Sequence, residues 1–426
     1  MNYEPLQQAE LFAGKEWRLS PTPFLLTAKE TEELEKLGHR LLLFYRASNT
    51  LYQQSLKGKK PEWIADYLDR GKPEALLELA HHKAFRDQIP SVIRPDLILT
   101  EEGFSISELD SVPGGIGLTA WLQEVYAPYG FDLLGGKTGM IEGFRSILPG
   151  GADILISEEA FTYRPEMEWL ANRLNALSPE IRYQVESAET YTPSDRAIYR
   201  FFELWDLHHI PAFSKLIEPL LNGQIQITPP LKPHFEEKLW LALFWSHPLR
   251  EIWRRELSER QWLKLQTLIP FGWVIDPAPL PHNAVLPKLN IQNWTELGHF
   301  SQKERELVLK ISGFSETAWG SRGVTIGQDV SQHDWKQAVQ HAIDSFPHHP
   351  FVLQEFKRAK IIEHPWYNPE TGKEEIVRGR VRLCPYYFVS NQQAKLGGVL
   401  CTIVPADKKI IHGMRDAILV PCATAA

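Results

Sequence analysis

Cysteine is scarce: Cys384, Cys401 and Cys422 are the only three in 426 residues. That odd number, crowded toward the C-terminus without metal-site spacing, excludes a disulfide framework and points to reduced thiols. Basic charge is also in deficit, with 46 Lys and Arg against 53 Asp and Glu and a formal net charge of -7 at pH 7. Such a balance argues against a general phosphate-backbone binder, so nucleic acid is not an expected partner, while a local basic pocket remains allowed. No apolar run approaches the length that spans a bilayer, and the opening MNYEPLQQAELFAG has neither a basic n-region nor an apolar core. The expectation is a cytoplasmic chain with no membrane partner. Internal repeats, low-complexity tracts, G-x-S-x-G, H-E-x-x-H and kinase signatures are missing as well. A P-loop is missed by one residue: in YGFDLLGGKTG the ending Gly136-Lys137-Thr138 requires a glycine where Phe131 stands, so the segment reads as a turn. The pairs His208-His209 and His348-His349 read as surface or core histidines with diverging side chains, not as metal ligands.

What is present is a globular composition, 43% hydrophobic and 11% aromatic, enough for about two or three domains. Residues 28 to 90 carry helical periodicity, with Leu34, Leu37, Leu41, Leu42 and Tyr45 on one stripe. Farther on, ADILIS reads as a buried strand, RPEMEWLANRLNAL as a helix and IRYQVES as a second strand, a βαβ unit. A second helix is expected over SDRAIYRFFELWDL, residues 194 to 207, an amphipathic helix at HFEEKLWLALFW, and helical stretches around 249 to 267. The last third alternates strand-like runs (ELVLKIS, GVTIG, FVLQEF, EIVRGRVRLCPYYFVS, GGVLCTIVP) with polar loops and one helix near 332 to 345.

The stretch RPDLILTEEGFSISELDSVPGG, residues 94 to 115, reads as a hairpin: two short apolar-rich runs flank the turn signal Glu101-Glu102-Gly103. A three-residue loop sets Asp96 opposite Glu108 and Arg94 opposite Asp110, with facing Cβ atoms about 5 Å apart. Because side chains alternate with period two, all four share one face, and near the turn that face is expected to carry Ile98, Phe104 and Ile106. Three acids beside apolar neighbours need a compensating cation. Arg94 supplies one as a structural ion pair; a divalent ion is the alternative, since Mg²⁺ takes carboxylate oxygens and leaves other positions to water and phosphates.

The second chemical segment is LVLKISGFSETAWGSRGVTIG, residues 307 to 327. A strand ends in Lys310, a loop bearing Gly313, Gly320 and Gly323 follows, and a second strand resumes. Glycines allow backbone amides to approach phosphate oxygens, with Lys310 and Arg322 as compensating charge; the plain alternative is a hairpin with a solvated lysine. In PFVLQEF, Gln354, Glu355 and Phe356 form a candidate adenine-side hinge.

Together these segments resemble the circularly permuted ATP-grasp ligases, especially the glutathionylspermidine synthase-like group. The resemblance runs in order over roughly residues 91 to 426 and joins four weak motifs. The group's R-x-D then E-x-N hairpin is matched by Arg94, Asp96, Glu108 and Asp110. Its P-x-W-K then N-K-x-x-x-L-A-L-L is similar to PPLKPHFEEKLWLALFW, placing Lys238 at the first nucleotide lysine. Its V-x-K-P then G-R-E-G-x-x-V resembles VLKISGFSETAWGSRGV, aligning Lys310 and Arg322. Asp110 replaces the metal-binding Asn, Ile311 a Pro, and Gly323 a Glu.

The resemblance implies an α/β (α+β), circularly permuted ATP-grasp-like fold, with a metal-binding hairpin and an α/β substrate domain at 91–215 and nucleotide-binding lobes at 216–426; the helical periodicity adds a helical region at 1–90, where no motif of the group falls. It implies ATP and Mg²⁺ as cofactors and an amide-forming reaction between a small-molecule or peptide-like carboxylate and an amine, through an acyl phosphate. In that scheme Asp96, Glu108 and Asp110 hold magnesium, Lys238, Lys310, Gln354, Glu355 and Arg380 bind the nucleotide, Arg322 caps the γ-phosphate and Arg94 orients the carboxylate or the acids. Arg380 and Arg382 alternate along one strand and share a face. A catalytically inactive nucleotide-binding module with a regulatory or scaffold role is the competing reading.

Overall fold

The computed structural model describes residues 17–318, 322–411 and 416–425. The opening segment through residue 16 and Gly320 of the expected phosphate loop lie outside the described residues. Contacts divide the chain into two units, one built from residues 1–43, 83–231 and 358–426, the other from 44–82 and 232–357. This division crosses the three consecutive segments expected from the sequence. Strand pairing is the reason, because the acidic hairpin joins strands from the C-terminal end of the chain.

In the first unit the strands β1 (Phe24–Leu26), β2 (Val92–Thr100), β3 (Gly103–Asp110), β12 (Ile361–Asn368), β13 (Lys373–Ser390), β14 (Gln393–Pro405) and β15 (Ile418–Thr424) form one sheet. Its order is β1-β15-β14-β13-β2-β3, and β12 pairs with β13. A second sheet has the order β5-β4-β6-β7, from β4 (Ala152–Ile156), β5 (Tyr183–Ser187), β6 (Ala197–Phe201) and β7 (Ile227–Thr228), all parallel. The βαβ unit is as expected: the Arg164–Leu177 helix links β4 to β5 and buries Met167, Leu170, Ala171 and Leu174, one stripe at helical spacing. The helix expected over 194 to 207 is not formed. Ala197–Phe201 extends instead alongside β4, and only a 3₁₀ segment, Leu204–His209, follows. The run AIYRF is rich in β-branched and aromatic residues and is buried from Ile198 to Phe201, which suits a central parallel strand better than a one-sided helix. His208 and His209 do not diverge: their ring centroids lie 3.7 Å apart, and His209 Nδ1 bonds Asp206 at 2.8 Å.

The predicted helical stripe is real. One helix spans Ala28–Leu56, and Leu34, Leu37, Leu41, Leu42 and Tyr45 on it are all buried. Its earlier part belongs to the first unit, where Gly38 permits the Tyr387 ring to lie against the helix: an added Cβ would fall 2.4 Å from that ring. Its later part belongs to the second unit, where Phe44 stacks on Trp253 with centroids 5.3 Å apart.

In the second unit β8 (Gly272–Val274), β9 (Leu307–Ile311), β10 (Val324–Ile326) and β11 (Phe351–Glu355) make an antiparallel sheet of order β10-β9-β11-β8. Period-two alternation sorts β9: Leu307, Leu309 and Ile311 enter a core with Trp273, Trp294, Phe351 and Leu353, leaving Lys310 on the opposite face. The Gln332–Ser345 helix covers that core with Trp335, Val339 and Ala342. The amphipathic helix expected at HFEEKLWLALFW shortens to Leu239–Leu243, every residue of it buried, because this segment runs through the interior and has no solvent face. Among the described residues no helix is long and apolar enough to cross a membrane.

Candidate functional site

The hairpin forms with Arg94 opposite Asp110 and Asp96 opposite Glu108, the register expected at the acids. It arrives there by a different route. The turn is tighter by one residue, with Thr100 paired to Gly103, and Ser107 is inserted between the Leu97–Ile106 and Asp96–Glu108 pairs. This bulge shifts every pair nearer the turn by one, so Phe104 and Ile106 oppose Leu99 and Leu97 and lie away from the acids. Of the three apolar neighbours expected on that face, Ile98 alone stays. Ser107 Oγ fixes the bulge by donating to the Asp96 carbonyl at 3.0 Å.

On its other side β2 pairs with β13 at Ile98–Arg382, Leu97–Leu383, Ile93–Tyr387 and Val92–Phe388. The same register carried through sets Pro95 opposite Pro385, neither of which has an N–H to donate, so the ladder lapses between its two paired ends. It also brings Arg382 and Cys384 onto the face of Asp96. Asp96, only 4% exposed, accepts Arg94 Nη2 on Oδ1 at 2.9 Å and Arg382 Nη1 on Oδ2 at 2.9 Å. Cys384 Sγ donates to Oδ1 at 3.4 Å. Arg94 reaches Asp110 Oδ2 as well and donates through Nη1 to the Gly114 carbonyl at 3.1 Å. Asp110 Oδ1 accepts the Val112 N–H at 3.0 Å.

The electrostatics follow from this wiring. Burial disfavours the Asp96 carboxylate, but Arg94 and Arg382 outweigh it and hold Asp96 below the usual carboxylate range. Asp110 goes the other way: burial, with Asp96 and Glu108 as like charges, exceeds the pull of Arg94 and raises it. Burial beside Asp96 pushes the Cys384 thiol up to about 12. The magnesium implied by the resemblance requires carboxylate oxygens facing an ion. Here Asp96 spends both oxygens on guanidinium groups, and Asp110 spends one on Arg94 and one on a backbone amide. Among the described residues no group of three or more His, Cys, Asp or Glu side chains is arranged to hold a metal. In this ion-paired arrangement the Asp96 and Asp110 carboxylates do not fit Mg²⁺.

The second cluster lies in the other unit. Lys310 sits opposite Val352 on β9 and β11, and its Nζ donates to Gln354 Oε1 at 3.1 Å. Gln354 is 3% exposed, and its Nε2 has no hydrogen-bond partner among the described residues. Glu355, next along β11, receives Lys288 Nζ at 2.6 Å and Lys357 Nζ at 3.3 Å. Burial works against its charge, yet the two lysines keep it below the usual range. Lys238 reaches the segment after β9: its Nζ donates to the Ala318 carbonyl at 2.7 Å and its N–H to the Ser312 carbonyl at 3.1 Å. Arg322 is exposed at the edge of the same loop. Arg380, in the first unit, is committed to backbone: Nε donates to Ala406 O and Nη1 to Ala359 O, each at 2.9 Å.

The structure therefore brings Arg94, Asp96 and Asp110 together with Arg382, and separately Lys310 with Gln354. Lys288 and Cys384 were missed. Lys288 stands in a Pro- and Asn-marked loop with no pattern around it, and Cys384 looks like an ordinary core residue until β13 is laid beside β2.

No protein-family model and no curated protein matches the chain. Among solved structures, a glutathione synthetase-like effector from Globodera pallida, in its apo form, superposes at a TM-score of 0.55 with 10% identity, covering 99% of this chain and 96% of the other. A protein from Methylobacillus flagellatus, provisionally assigned as a gamma-glutamylcysteine synthetase, aligns at a TM-score of 0.39 with 11% identity over 93% of this chain and 86% of its own, too low for structural argument. The effector shares the fold of this chain, a mixed α/β protein.

Proposed function

We propose that the chain is an ATP-dependent carboxylate–amine ligase on a circularly permuted ATP-grasp fold. The observation that carries this reading is the Lys310–Gln354 hydrogen bond, because two residues assigned to the nucleotide from separate segments meet at 3.1 Å on neighbouring strands. The likeness in fold to a glutathione synthetase-like protein over 99% of the chain adds support. In the reaction a substrate carboxylate oxygen attacks the γ-phosphorus, the bond to the ADP oxygen breaks, and an acyl phosphate forms. An amine then attacks the acyl carbon, loses a proton and expels phosphate, leaving an amide. Such chemistry depends on positioning and charge neutralisation. Lys238 and Lys310 neutralise phosphate oxygens, Arg322 caps the γ-phosphate, and Gln354 and Glu355 read the base edge. No step is routed through a metal held by Asp96, Glu108 and Asp110, since use of Asp96 and Asp110 as ligands would require exchange of the arginine pairs described above.

That arginine occupancy favours one second reading, a nucleotide-binding module without turnover. One experiment addresses both: ATP is offered with panels of carboxylates and amines, ADP and phosphate release is followed, and ATP affinity is measured with and without Mg²⁺. Turnover supports the ligase; ATP affinity without turnover on any pair supports the module. Absence of ATP affinity in the wild type, or affinity unchanged by Lys310→Ala, overturns both.

A further inference from the structure

Immediately before Lys238 lies a buried ion pair that neither the sequence motifs nor the proposed chemistry uses. Lys72 Nζ and Glu237 Oε1 are 2.5 Å apart, with side chains only 1% and 2% exposed. Lys72 also donates to the Leu68 carbonyl, and the second Glu237 oxygen accepts the Ser312 hydroxyl. Ser312 Oγ in turn accepts the Leu239 N–H at 2.9 Å, while the Ser312 carbonyl accepts the Lys238 N–H at 3.1 Å. The next residue closes the contact: a Cβ on Gly313 would fall 2.3 Å from the Glu236 carbonyl oxygen, so glycine is required for this approach.

All these residues belong to the second unit. They pin the backbone on both sides of Lys238 to the residue that follows β9, two positions after Lys310. A buried pair of this kind gives little net stability, since desolvation offsets most of its attraction. Its value lies in fixing geometry, and what it fixes is the start of the Lys238 side chain and of the loop that Lys238 Nζ reaches at Ala318, 2.7 Å away.

We infer that Glu237, held by Lys72, is a positioning residue that sets nucleotide affinity by aiming Lys238, without itself touching the nucleotide. This rests on the ligase reading, in which Lys238 contacts phosphate. Lys72 anchors the carboxylate, the carboxylate anchors Ser312, and Ser312 holds the backbone of Lys238 and Leu239. A misaimed ammonium loses a charge-assisted contact, which corresponds to about tenfold or more in affinity.

The test measures ATP affinity by calorimetry, well below the unfolding temperature, for wild type, Lys238→Ala, Glu237→Gln and the double variant. Glu237→Gln is expected to weaken ATP by about tenfold, and Lys238→Ala by at least as much. The double variant should be no weaker than Lys238→Ala, because both changes act through one ammonium. Losses that add in the double variant, or unchanged affinity in Glu237→Gln, overturn the proposal. Should Glu237→Gln fail to fold, Ser312→Ala takes its place, removing a neutral hydroxyl from the same chain of bonds under the same criteria. Failure of the ligase reading shows separately, as a wild type without ATP affinity or a Lys238→Ala variant that binds normally.

Discussion

Lys310 and Gln354 stand 44 residues apart in the chain and share a 3.1 Å hydrogen bond across neighbouring antiparallel strands. The bond orients the amide: Oε1 faces the ammonium, which leaves the buried Nε2 as a donor without a partner among the described residues. Lys310→Ala should therefore weaken ATP by about tenfold to a hundredfold, the value of one lost charge-assisted contact. Gln354→Ala should weaken it less and also reduce discrimination between ATP and GTP, since the amide is assigned to the base edge. Competition titrations with both nucleotides check the pair, and equal losses for both variants on both nucleotides would contradict the assignment.

Asp96 is the hub of the first unit's charged cluster, bonded by two arginines whose side chains are 12% and 20% exposed. Asp96→Asn keeps the shape but strands Arg382 without its carboxylate. Breaking a buried pair from one side costs about 3 to 5 kcal/mol. Urea unfolding should show a loss of that order, and a loss below about 1 kcal/mol would mean that the cluster is solvated.

Arg380 shares a strand face with Arg382 but not its role. Both of its bonds go to backbone carbonyls, Ala406 and Ala359. Arg380→Ala is expected to cost about 1 to 3 kcal/mol of stability and to leave ATP affinity within about twofold of wild type. Affinity falling with stability intact would return Arg380 to the nucleotide.

Some of this arrangement is readable from residue order and some is not, for identifiable reasons. The pairing of Arg94 with Asp110 and of Asp96 with Glu108 is legible only through two displacements that cancel, since the turn is one residue tighter than its signal and Ser107 adds one residue back. The bulge at Ser107 is not, since serine in an alternating run gives no sign of being the extra residue. Leu34, Leu37 and Leu41 announce their helix by spacing. Ile198, Tyr199 and Phe201 are compatible with either a helix or a buried strand, and the open side of β4 decides between them. Arg382 lies 286 residues from Asp96 in sequence, and no local pattern links the two. The Lys72–Glu237 pair is hidden in the same way, because its lysine sits in a turn and its glutamate in an interior segment that reads as amphipathic.

Gly71, beside Lys72, has φ +71, and a Cβ there would fall 2.0 Å from the His348 carbonyl oxygen. Alanine would meet both a left-handed backbone penalty, about 1 to 2 kcal/mol, and an overpacking cost of about 1 to 3 kcal/mol. Gly71→Ala should destabilise the protein by about 2 to 5 kcal/mol in urea unfolding. A neutral result would show that this turn and the His348 segment separate easily.

His364 supplies a pH dependence whose sign can be worked out. It is 4% exposed, its Nε2 lies 2.9 Å from Ser20 Oγ, and burial lowers its pKa from 6.5 to about 4 against a raising effect of the Thr22 backbone. A histidine depressed in the fold is neutral there while the unfolded chain takes up a proton. Its contribution is therefore fully present above about 6.5 and is lost as pH falls toward about 4. The size follows from the shift, about 3 kcal/mol across that window. Carboxylates titrate over the lower part of the same range, so the comparison must be between variants at fixed pH. His364→Phe cannot take up the proton and also loses the Ser20 bond, so it should be less stable than wild type at pH 7. The difference should narrow between pH 6.5 and pH 4.5, where only the wild type is penalised by protonation of its unfolded state. Parallel stability curves for the two proteins over that interval would mean that His364 titrates alike folded and unfolded, and that its burial beside Ser20 is not maintained in solution.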